Sequence, residues 1–505
     1  MPAAVAVLIA AALAQSQAVQ AAPPAAPPAS DDTVERRFER MQKDIDALRQ
    51  QNAAQAERIT QLETQTGEQW LSEQRASQIR GIVADVMADS QTRASLQASG
   101  ATSGFDGNFF IASADGNFRL NIEGQMQIRF AFNHLPTAGI TPPVRGQVQN
   151  EYGFELRRMR LNFFGHVFDP SWTYRMQFSF NRDAGAVNRN VALDDAFVQK
   201  AFGDGFYTRV GQWKSLFNYE EITSSRTQQF IARSLVNGYF SQDFIQGVLL
   251  GWESSKVRLS ASYNDGGGMK NVAVLQRTGN PTQWALSARA DWLLAGQWGQ
   301  MKDMQGWVGS PFAAMIGGGL NWQRAGGNPP PSRQSPSTGL LADGVFAQNA
   351  LLSYTIDGNL RGDGWSAWAA FLGNWTTATG SEGAARGLSN VLSYGMVVQG
   401  GLFVTEEVEL IGRYEGLWVV SGNSSFGSVA GALLTQNLNI VTLGANWYID
   451  KNDLKLTVDG GWAFEPVLFS NGLYGDSISG TNWRASQTGA GAGELVLRAQ
   501  LQILF

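Results

Sequence analysis

The spacing of hydrophobic residues changes along the chain from a helical to a strand period. From Val34 to Leu62, apolar residues recur at alternating steps of four and three, and Asn52 and Gln55 interrupt the series. A seven-residue repeat of this kind is typical of a coiled coil, because a lone helix would leave its apolar stripe in water. Residues 31–66 are therefore predicted to form a coiled coil with partner chains. A solvated helical spacer that packs on its own chain is the alternative.

Beyond residue 117 apolar and polar residues alternate, which is the period of a β-strand. Every even position in 118–132 is apolar or Gly, and similar runs recur at 172–180, 257–263 and 495–505. Several runs reach the roughly 9 to 11 residues that a tilted membrane strand needs, whereas strands of soluble sheets average about 5 to 6. Length therefore favours a membrane barrel over a soluble sandwich, which would also alternate.

The connections between these runs are alternately short and long. Short turns are expected at 169–170, 203–205, 405–407 and 450–453, with long polar loops between them. This asymmetry is typical of outer-membrane barrels. The predicted fold is an all-β transmembrane barrel of about 16 antiparallel strands, preceded by an α-helical coiled-coil stalk. Tryptophans near strand ends would suit the lipid–water interfaces, although ordinary packing is the favoured interpretation for each one taken alone; they include Trp172, Trp213, Trp252, Trp292, Trp322, Trp375 and Trp447.

The remaining segments complete the domain organisation. Residues 1–22 have the outline of a secretory signal peptide, although no Lys or Arg precedes the apolar run. A Pro/Ala linker at 23–30, the coiled coil at 31–66 and an amphipathic helix at 67–100 would then lead into the barrel at 101–505. This order predicts a protein of the bacterial outer membrane whose stalk lies in the periplasm.

Composition narrows the chemistry of the chain. Its 505 residues include 38 Lys+Arg and 43 Asp+Glu, a net charge of −5 that provides no basic footprint for nucleic acid. The absence of Cys excludes disulfides and thiolate sites. His134 and His166 are the two histidines, and no serine motif stands beside either, so a barrel hydrolase is disfavoured. We therefore expect no enzyme activity, no cofactor and no metal.

The inner face of the predicted barrel carries arginines. A barrel of this size encloses water, so charges at its narrowest point set its selectivity. The segment from Lys214 to Asp243 is the best candidate for a loop folded inward. Arg158 and Arg160 share one strand face, and Arg175 extends them into a column that favours phosphate or carboxylate. The alternative is that these arginines only shape the pore by pairing with Asp194, Asp195, Glu220 and Glu221.

Ordered motifs give roughly residues 115–505 a family resemblance. The segments 154–160 (FELRRMR), 193–196 (LDDA), 210–212 (VGQ) and 221–226 (EITSSR), followed by Arg233, resemble the phosphate-selective porin O and P family. The resemblance implies a trimeric sixteen-stranded porin whose third loop folds inward to form an anion site. The motifs carry that site over to Arg157, Arg158, Asp194, Ser224, Ser225 and Arg233.

Two positions depart from the family pattern. Glu221 stands where phosphate-selective members place a lysine, and Gln125 stands where an arginine is expected. Both changes remove positive charge, for which Arg160, Arg209 and Arg226 are expected to compensate. The candidate anion-binding constriction therefore comprises Arg157, Arg158, Arg160, Asp194, Ser224, Ser225, Arg226 and Arg233.

The expected function is passive diffusion of small hydrophilic solutes with a preference for anions, phosphate among them. A general porin that favours sugars or cations and a barrel that anchors a stalk to the cell wall are the alternatives. The expected partners are small anions, outer-membrane lipid, two further copies in a homotrimer and, through the stalk, peptidoglycan. No nucleic acid is expected.

Overall fold

The computed structural model describes residues 31–67, 100–136, 149–180, 191–267, 270–271, 282–325, 349–378, 390–421, 437–467, 480–484 and 492–505. The chain divides into two units, Met1–Leu96 and Gln97–Phe505. The predicted signal peptide and linker lie outside the described residues, and so does the amphipathic helix of 67–100 apart from its two end residues.

The first unit contains one described helix, α1, which spans Asp31–Gly67. Its 37 residues extend about 55 Å at 1.5 Å per residue. The apolar stripe of this helix is exposed, with Phe38 at 63% and Leu48 at 58% of full accessibility. The helix is confirmed over the predicted range, whereas its pairing with partner chains stays a prediction. Among the described residues, no helix is both long and apolar enough to cross a bilayer.

The second unit is a single antiparallel sheet of 18 strands. Two short strands form a hairpin, β1 (Ala101–Phe105) and β2 (Phe109–Ser113). The sixteen strands that follow are β3 (Arg119–His134), β4 (Asn150–Val167), β5 (Asp169–Ser179), β6 (Ala192–Gly203), β7 (Phe206–Lys214), β8 (Phe244–Glu253), β9 (Val257–Asn264), β10 (Thr282–Ala295), β11 (Ala313–Ala325), β12 (Asn349–Gly362), β13 (Trp365–Ala378), β14 (Asn390–Phe403), β15 (Val408–Ser421), β16 (Asn437–Asp450), β17 (Leu454–Ala463) and β18 (Glu494–Leu504).

The sheet closes into a barrel because β18 pairs with β3. Their register runs from Leu495 opposite His134 to Leu504 opposite Gln125. The hairpin strand β2 pairs with β3 at Arg119–Ile122, where β18 has already ended. The prediction of a closed barrel of about 16 antiparallel strands is therefore confirmed.

The connections differ sharply between the two ends of the barrel. At one end, called here the loop end, they are 11 to 30 residues long. At the other, the turn end, six of the seven connections are one to four residues long, and the seventh spans residues 296–312. This long turn-end connection contradicts the expectation of uniformly short turns.

Apolar side chains cover the outer face of the barrel. Leu250, Leu443 and Ile356 are exposed by 64%, 64% and 57%, which is the arrangement that a surrounding hydrocarbon phase requires. Six of the seven tryptophans expected at the interfaces are at least partly exposed. Trp213 is not, and it is a case of the alternative, ordinary packing. Its side chain is completely buried against Ile245 and Leu249, because the adjoining loop folds over it.

Candidate functional site

Residues 215–243, between β7 and β8, form an inward loop. They contain two short helices, α2 (Tyr219–Ile222) and α3 (Leu235–Phe240). The loop reaches distant strands of the wall. Gln229 Nε2 donates to Ser366 Oγ on β13 at 2.8 Å, and the amide of Ile231 donates to Asp459 Oδ2 on β17 at 3.1 Å. The loop therefore folds into the lumen, as the sequence predicts.

The inward loop fills one side of the lumen with an apolar core. Its own contributions are Phe217, Tyr219, Leu235, Val236, Tyr239 and Phe240. They pack on inward-facing apolar residues of the wall, which include Leu293, Leu351, Leu372, Val397, Leu417, Leu438 and Ile440. All of these side chains are at most 5% exposed. The lumen beside β10–β16 therefore holds a packed apolar core, next to which buried ion pairs such as Arg289–Asp357 also face inward.

The turn-end segment 296–312 enters the same side of the lumen from the opposite end and meets the inward loop. Met301 and Met304 of this segment are buried in the same apolar core. The amide of Met304 donates to the carbonyl of Thr227 at 3.2 Å, and Tyr219 Oη donates to the carbonyl of Met301 at 2.9 Å. Sequence analysis missed this segment, because no repeat or motif distinguishes it from an ordinary turn.

Accessible cationic groups lie instead on the side of β4–β9. Here the side chains of Arg160, Lys214 and Lys270 are 13%, 19% and 28% exposed. We use the name basic cluster for Arg158, Arg160, Lys214, Arg233 and Lys270. Four carboxylates face the cluster, those of Asp194, Asp195, Glu221 and Asp243. Five cationic groups thus meet four anionic ones, which leaves an excess of one positive charge.

A β-bulge in β4 determines where its arginines point. Arg158 lies opposite Gln127, but Leu156 lies opposite Ile128, so Arg157 is an extra residue on β4. Such a bulge re-aims the neighbouring side chains. Arg158 consequently faces the lumen, while Arg157 Nε donates to the carbonyl of Gly480, in the connection between β17 and β18, at 3.4 Å.

Arg158 is the most unusual member of the cluster. Its side chain is buried, with the residue only 8% exposed, and Nη1 donates to Gln127 Oε1 at 2.9 Å. The charges that act on it come from Arg157, Arg160, Arg233 and Arg129. Among the described residues, no carboxylate lies within ion-pairing distance of it. Arg158 is therefore a buried cation whose described side-chain partner is the neutral amide oxygen of Gln127.

Arg160 joins Asp194 to the inward loop. Arg160 Nη2 lies 3.0 Å from Asp194 Oδ2, and Nη1 donates to Ser225 Oγ at 3.1 Å. Gln125 Nε2 donates to the same hydroxyl at 3.2 Å. Gln125 therefore anchors the loop through Ser225 where the family resemblance implies an arginine.

Glu221 pairs with cations of the cluster. Its Oε1 lies 2.9 Å from Lys214 Nζ, its Oε2 lies 3.6 Å from Arg233 Nε, and Asn237 Nδ2 donates to Oε2 at 2.6 Å. Burial alone would raise the pKa of Glu221, but the charges of Arg233 and Lys214 outweigh it and hold the pKa below its ordinary value. Glu221 thus neutralises part of the cluster, as the alternative of structural pairing anticipates.

The structure brings five of the eight predicted residues together, namely Arg158, Arg160, Asp194, Ser225 and Arg233. It places the other three elsewhere. Arg157 points toward Gly480, Ser224 is exposed and accepts from the amide of Arg226, and Arg226 forms an ion pair with Glu123. Arg226 therefore does not supply the charge that Glu221 and Gln125 remove.

Two further predicted arginines extend the cluster toward the turn end. Arg175 lies 5.4 Å from the ring centroid of Phe164, and Arg209 lies 4.3 Å from that of Phe197. Asp195 interacts electrostatically with both arginines. Sequence analysis missed Lys270 because its connection between β9 and β10 carries no motif.

The two histidines do not form a catalytic arrangement among the described residues. His134 Nδ1 lies 2.7 Å from Asn150 Oδ1, and His166 Nε2 lies 2.8 Å from the carbonyl of Gly116. No group of three or more His, Asp or Glu side chains suited to a metal ion is found in the described part of the chain.

Comparison with known proteins bears on this barrel and its inward loop. The family model described as "Phosphate-selective porin O and P" matches residues 125–297. This match confirms the family resemblance over the strands and loop that carry the basic cluster. No curated protein matches the sequence.

Solved outer-membrane proteins share the fold. The anion-selective porin from Comamonas acidovorans has a TM-score of 0.50 at 10% identity, covering 76% of this chain and 99% of that chain. The outer membrane channel DcaP of Acinetobacter baumannii has a TM-score of 0.48 at 12% identity, covering 76% and 97%. OmpT of Vibrio cholerae has a TM-score of 0.48 at 10% identity, covering 77% and 97%. At such low identities the likeness concerns the fold alone.

Proposed function

We propose that this chain, a porin-fold barrel whose residues 125–297 match the phosphate-selective porin O and P family, is an outer-membrane porin through which small anions diffuse passively. The observation that carries the anion preference is Arg158. A guanidinium buried among other cations, with no described carboxylate beside it, gains most when a small anion occupies the lumen. Phosphate and carboxylates suit its forked donors.

The route of the anion follows from the two sides of the lumen. The side filled by the inward loop and the segment 296–312 is closely packed, and its charged groups, such as Arg289 and Asp357, are buried and paired with each other. The side along β4–β9 is lined by the basic cluster and, toward the turn end, by Arg175 and Arg209. An anion would therefore pass along β4–β9, where its charge is balanced at each level by partly exposed cations.

The competing function is a general porin that favours sugars or cations. Glu221 and Asp194 support it, because they neutralise Lys214, Arg233 and Arg160 within the cluster. We favour anion passage because the cluster keeps an excess of one positive charge and Arg158 has no described carboxylate beside it.

Planar-bilayer recording of the full-length protein decides between these functions. Anion passage predicts discrete ohmic current steps. In a KCl gradient, it also predicts a reversal potential with the same sign as the chloride equilibrium potential. Added phosphate should reduce the chloride current. A reversal potential of the sign set by potassium, with no reduction by phosphate, would establish the competing function instead.

We further propose that α1 of three chains forms a parallel coiled-coil stalk in the periplasm and that the barrel is a homotrimer. The exposed stripe of Phe38, Met41, Ile45 and Leu48 supports the stalk, because such a stripe is stable in water only when it is covered.

The absence of native Cys makes crosslinking a clean test. Leu48→Cys, on the stripe, should form disulfide-linked dimers on oxidation, whereas Gln50→Cys, on the opposite face, should not. Equal crosslinking of the two variants would refute the coiled coil.

A stalk of this kind would also suit attachment to the cell wall. Cosedimentation of the full-length protein with isolated peptidoglycan, compared with a variant lacking residues 31–66, tests this partner. If both proteins sediment equally and both conduct, the stalk does not bind peptidoglycan.

A further inference from the structure

Lys270 belongs to the basic cluster, although neither the sequence motifs nor the family resemblance assign it a role. It lies in the loop-end connection between β9 and β10, while the other four cations lie on β4, on β7 or in the inward loop. Its Nζ is 2.5 Å from Asp194 Oδ1. A loop outside the constriction therefore contributes a charge to it.

An aromatic ring holds the Lys270 ammonium in place. Lys270 Nζ lies 4.5 Å from the ring centroid of Phe244, and Lys214 Nζ lies 5.2 Å from the same centroid. Phe244 is only 3% exposed. A cation is attracted to the face of a desolvated ring, so Phe244 fixes both lysines at the edge of the lumen.

Asp194 is the group through which Lys270 acts. One carboxylate oxygen of Asp194 pairs with Lys270, and the other lies 3.0 Å from Arg160 Nη2. Without Lys270, the full negative charge of Asp194 would act on Arg160 and on ions in the neighbouring lumen. Because the five cations of the cluster face four carboxylates, the charge of Lys270 equals the whole positive excess.

We propose that Lys270 is a positioning residue that determines specificity: by neutralising Asp194, it leaves Arg160 and Arg158 available to a small oxyanion such as phosphate. The proposal rests on the proposed function of the lumen as an anion path. In this role Lys270 compensates for the positive charge that Gln125 and Glu221 do not supply.

The test compares charge-matched variants of the full-length protein in planar bilayers. Lys270→Gln should lower the anion-to-cation permeability ratio by about two- to fivefold, as expected for one partly screened charge, and should weaken the block by inorganic phosphate. Lys270→Arg should keep the wild-type ratio. Lys256→Gln removes the same charge from an exposed turn between β8 and β9 and should behave as wild type.

A second substitution identifies the mechanism. If Lys270 acts by neutralising Asp194, Asp194→Asn should restore the anion preference in the Lys270→Gln background. A merely structural role for Lys270 would not be rescued by removing its partner. Failure of this rescue would overturn the proposal.

The possible outcomes distinguish the proposed function of the lumen from the role of Lys270. A cation-selective wild type would overturn the proposed function. An anion-selective wild type in which Lys270→Gln equals Lys256→Gln would overturn only the role of Lys270.

Discussion

At the scale of single residues, selectivity depends on which charges are paired and which are not. Arg160 and Arg233 have carboxylate partners, whereas Arg158 has an amide oxygen as its partner. In a low-dielectric setting an unpaired charge interacts most strongly with an incoming ion. Arg158 should therefore influence permeation more than its paired neighbours do.

Substitution of Arg158 checks this ranking. Arg158→Glu should lower the anion-to-cation permeability ratio by about tenfold, since it reverses one charge in a partly screened lumen, and should abolish phosphate block. Arg158→Lys should keep the reversal potential but weaken the block, because an ammonium lacks the forked donors of a guanidinium. Reversal potentials and phosphate titrations measure both effects. If inorganic phosphate blocked Arg158→Lys and the wild type equally, the forked donors of the guanidinium would be unimportant.

Glu221 makes the inward loop resistant to mild acid. Its pKa is depressed in the folded protein, so its contribution to stability is complete above the ordinary glutamate pKa of 4.5 and is lost only as the pH falls through the lower folded value. Glu221 should therefore contribute no change in selectivity or conductance between pH 7 and pH 5. Recordings at both pH values test this, with Glu221→Gln as the control that lacks the group. A change near pH 5 that Glu221→Gln abolishes would contradict the depressed pKa.

Several residue placements could be predicted from sequence and others could not. Strict alternation in β4 placed Arg158 and Arg160 on one face, and the motif order placed Asp194 and Ser225 beside them. The bulge at Arg157 has no sequence signal here, because an extra residue in a strand looks like any other residue. Lys270 reaches the cluster through a tertiary contact that no local pattern encodes.

At the scale of elements, the inward loop and the segment 296–312 together narrow the lumen. Sequence predicted the loop from its length and charge. It did not predict the apolar core, because the inner faces of β10–β16 mix apolar residues with polar ones such as Ser353, Asp357 and Arg413. The alternation of inward and outward residues is kept in these strands, so only the tertiary structure shows which part of the wall the loop covers.

Gly306 provides a test of the segment 296–312. A Cβ at this position would lie 1.9 Å from the carbonyl oxygen of Trp365 and 3.0 Å from that of Gly362, so the backbone itself would have to shift. Gly306→Ala should therefore cost about 1–3 kcal/mol of folding free energy and raise single-channel conductance by loosening the segment.

Gly299 is the matched control for this prediction. It lies in the same segment, and a Cβ there would meet nothing within 4 Å. Urea unfolding in detergent and single-channel recording compare the two variants. Identical conductance for Gly306→Ala and Gly299→Ala would show that the segment does not limit permeation.

At the scale of the whole molecule, the barrel separates an apolar outer face from a charged interior. The strand count, the closure and the two unlike ends followed from sequence, because period and connection length are local properties. The hairpin β1–β2 did not, since its two strands of five residues each are too short for alternation to be recognised.

Arginine substitutions on the two faces test this separation. Leu443 lies in the middle of β16 and is 64% exposed on the outer face. Leu443→Arg should destabilise the membrane-inserted barrel by about 2–4 kcal/mol, because the charge would enter hydrocarbon. Thr173→Arg, on the inner face of β5, should be tolerated. Urea titration of the protein in lipid vesicles measures both, and equal destabilisation would show that the faces are wrongly assigned.

The seam between β3 and β18 makes barrel closure depend on a strand that is synthesised long after its partner. A truncated chain that stops before Glu494 would lack β18. The barrel would then have fifteen strands instead of sixteen and two open edges, on β3 and on β17. Each unpaired amide or carbonyl group in hydrocarbon costs several kcal/mol. Such an incomplete chain should therefore fail to insert and should be degraded in the periplasm. Open, leaking barrels would then not accumulate in the membrane.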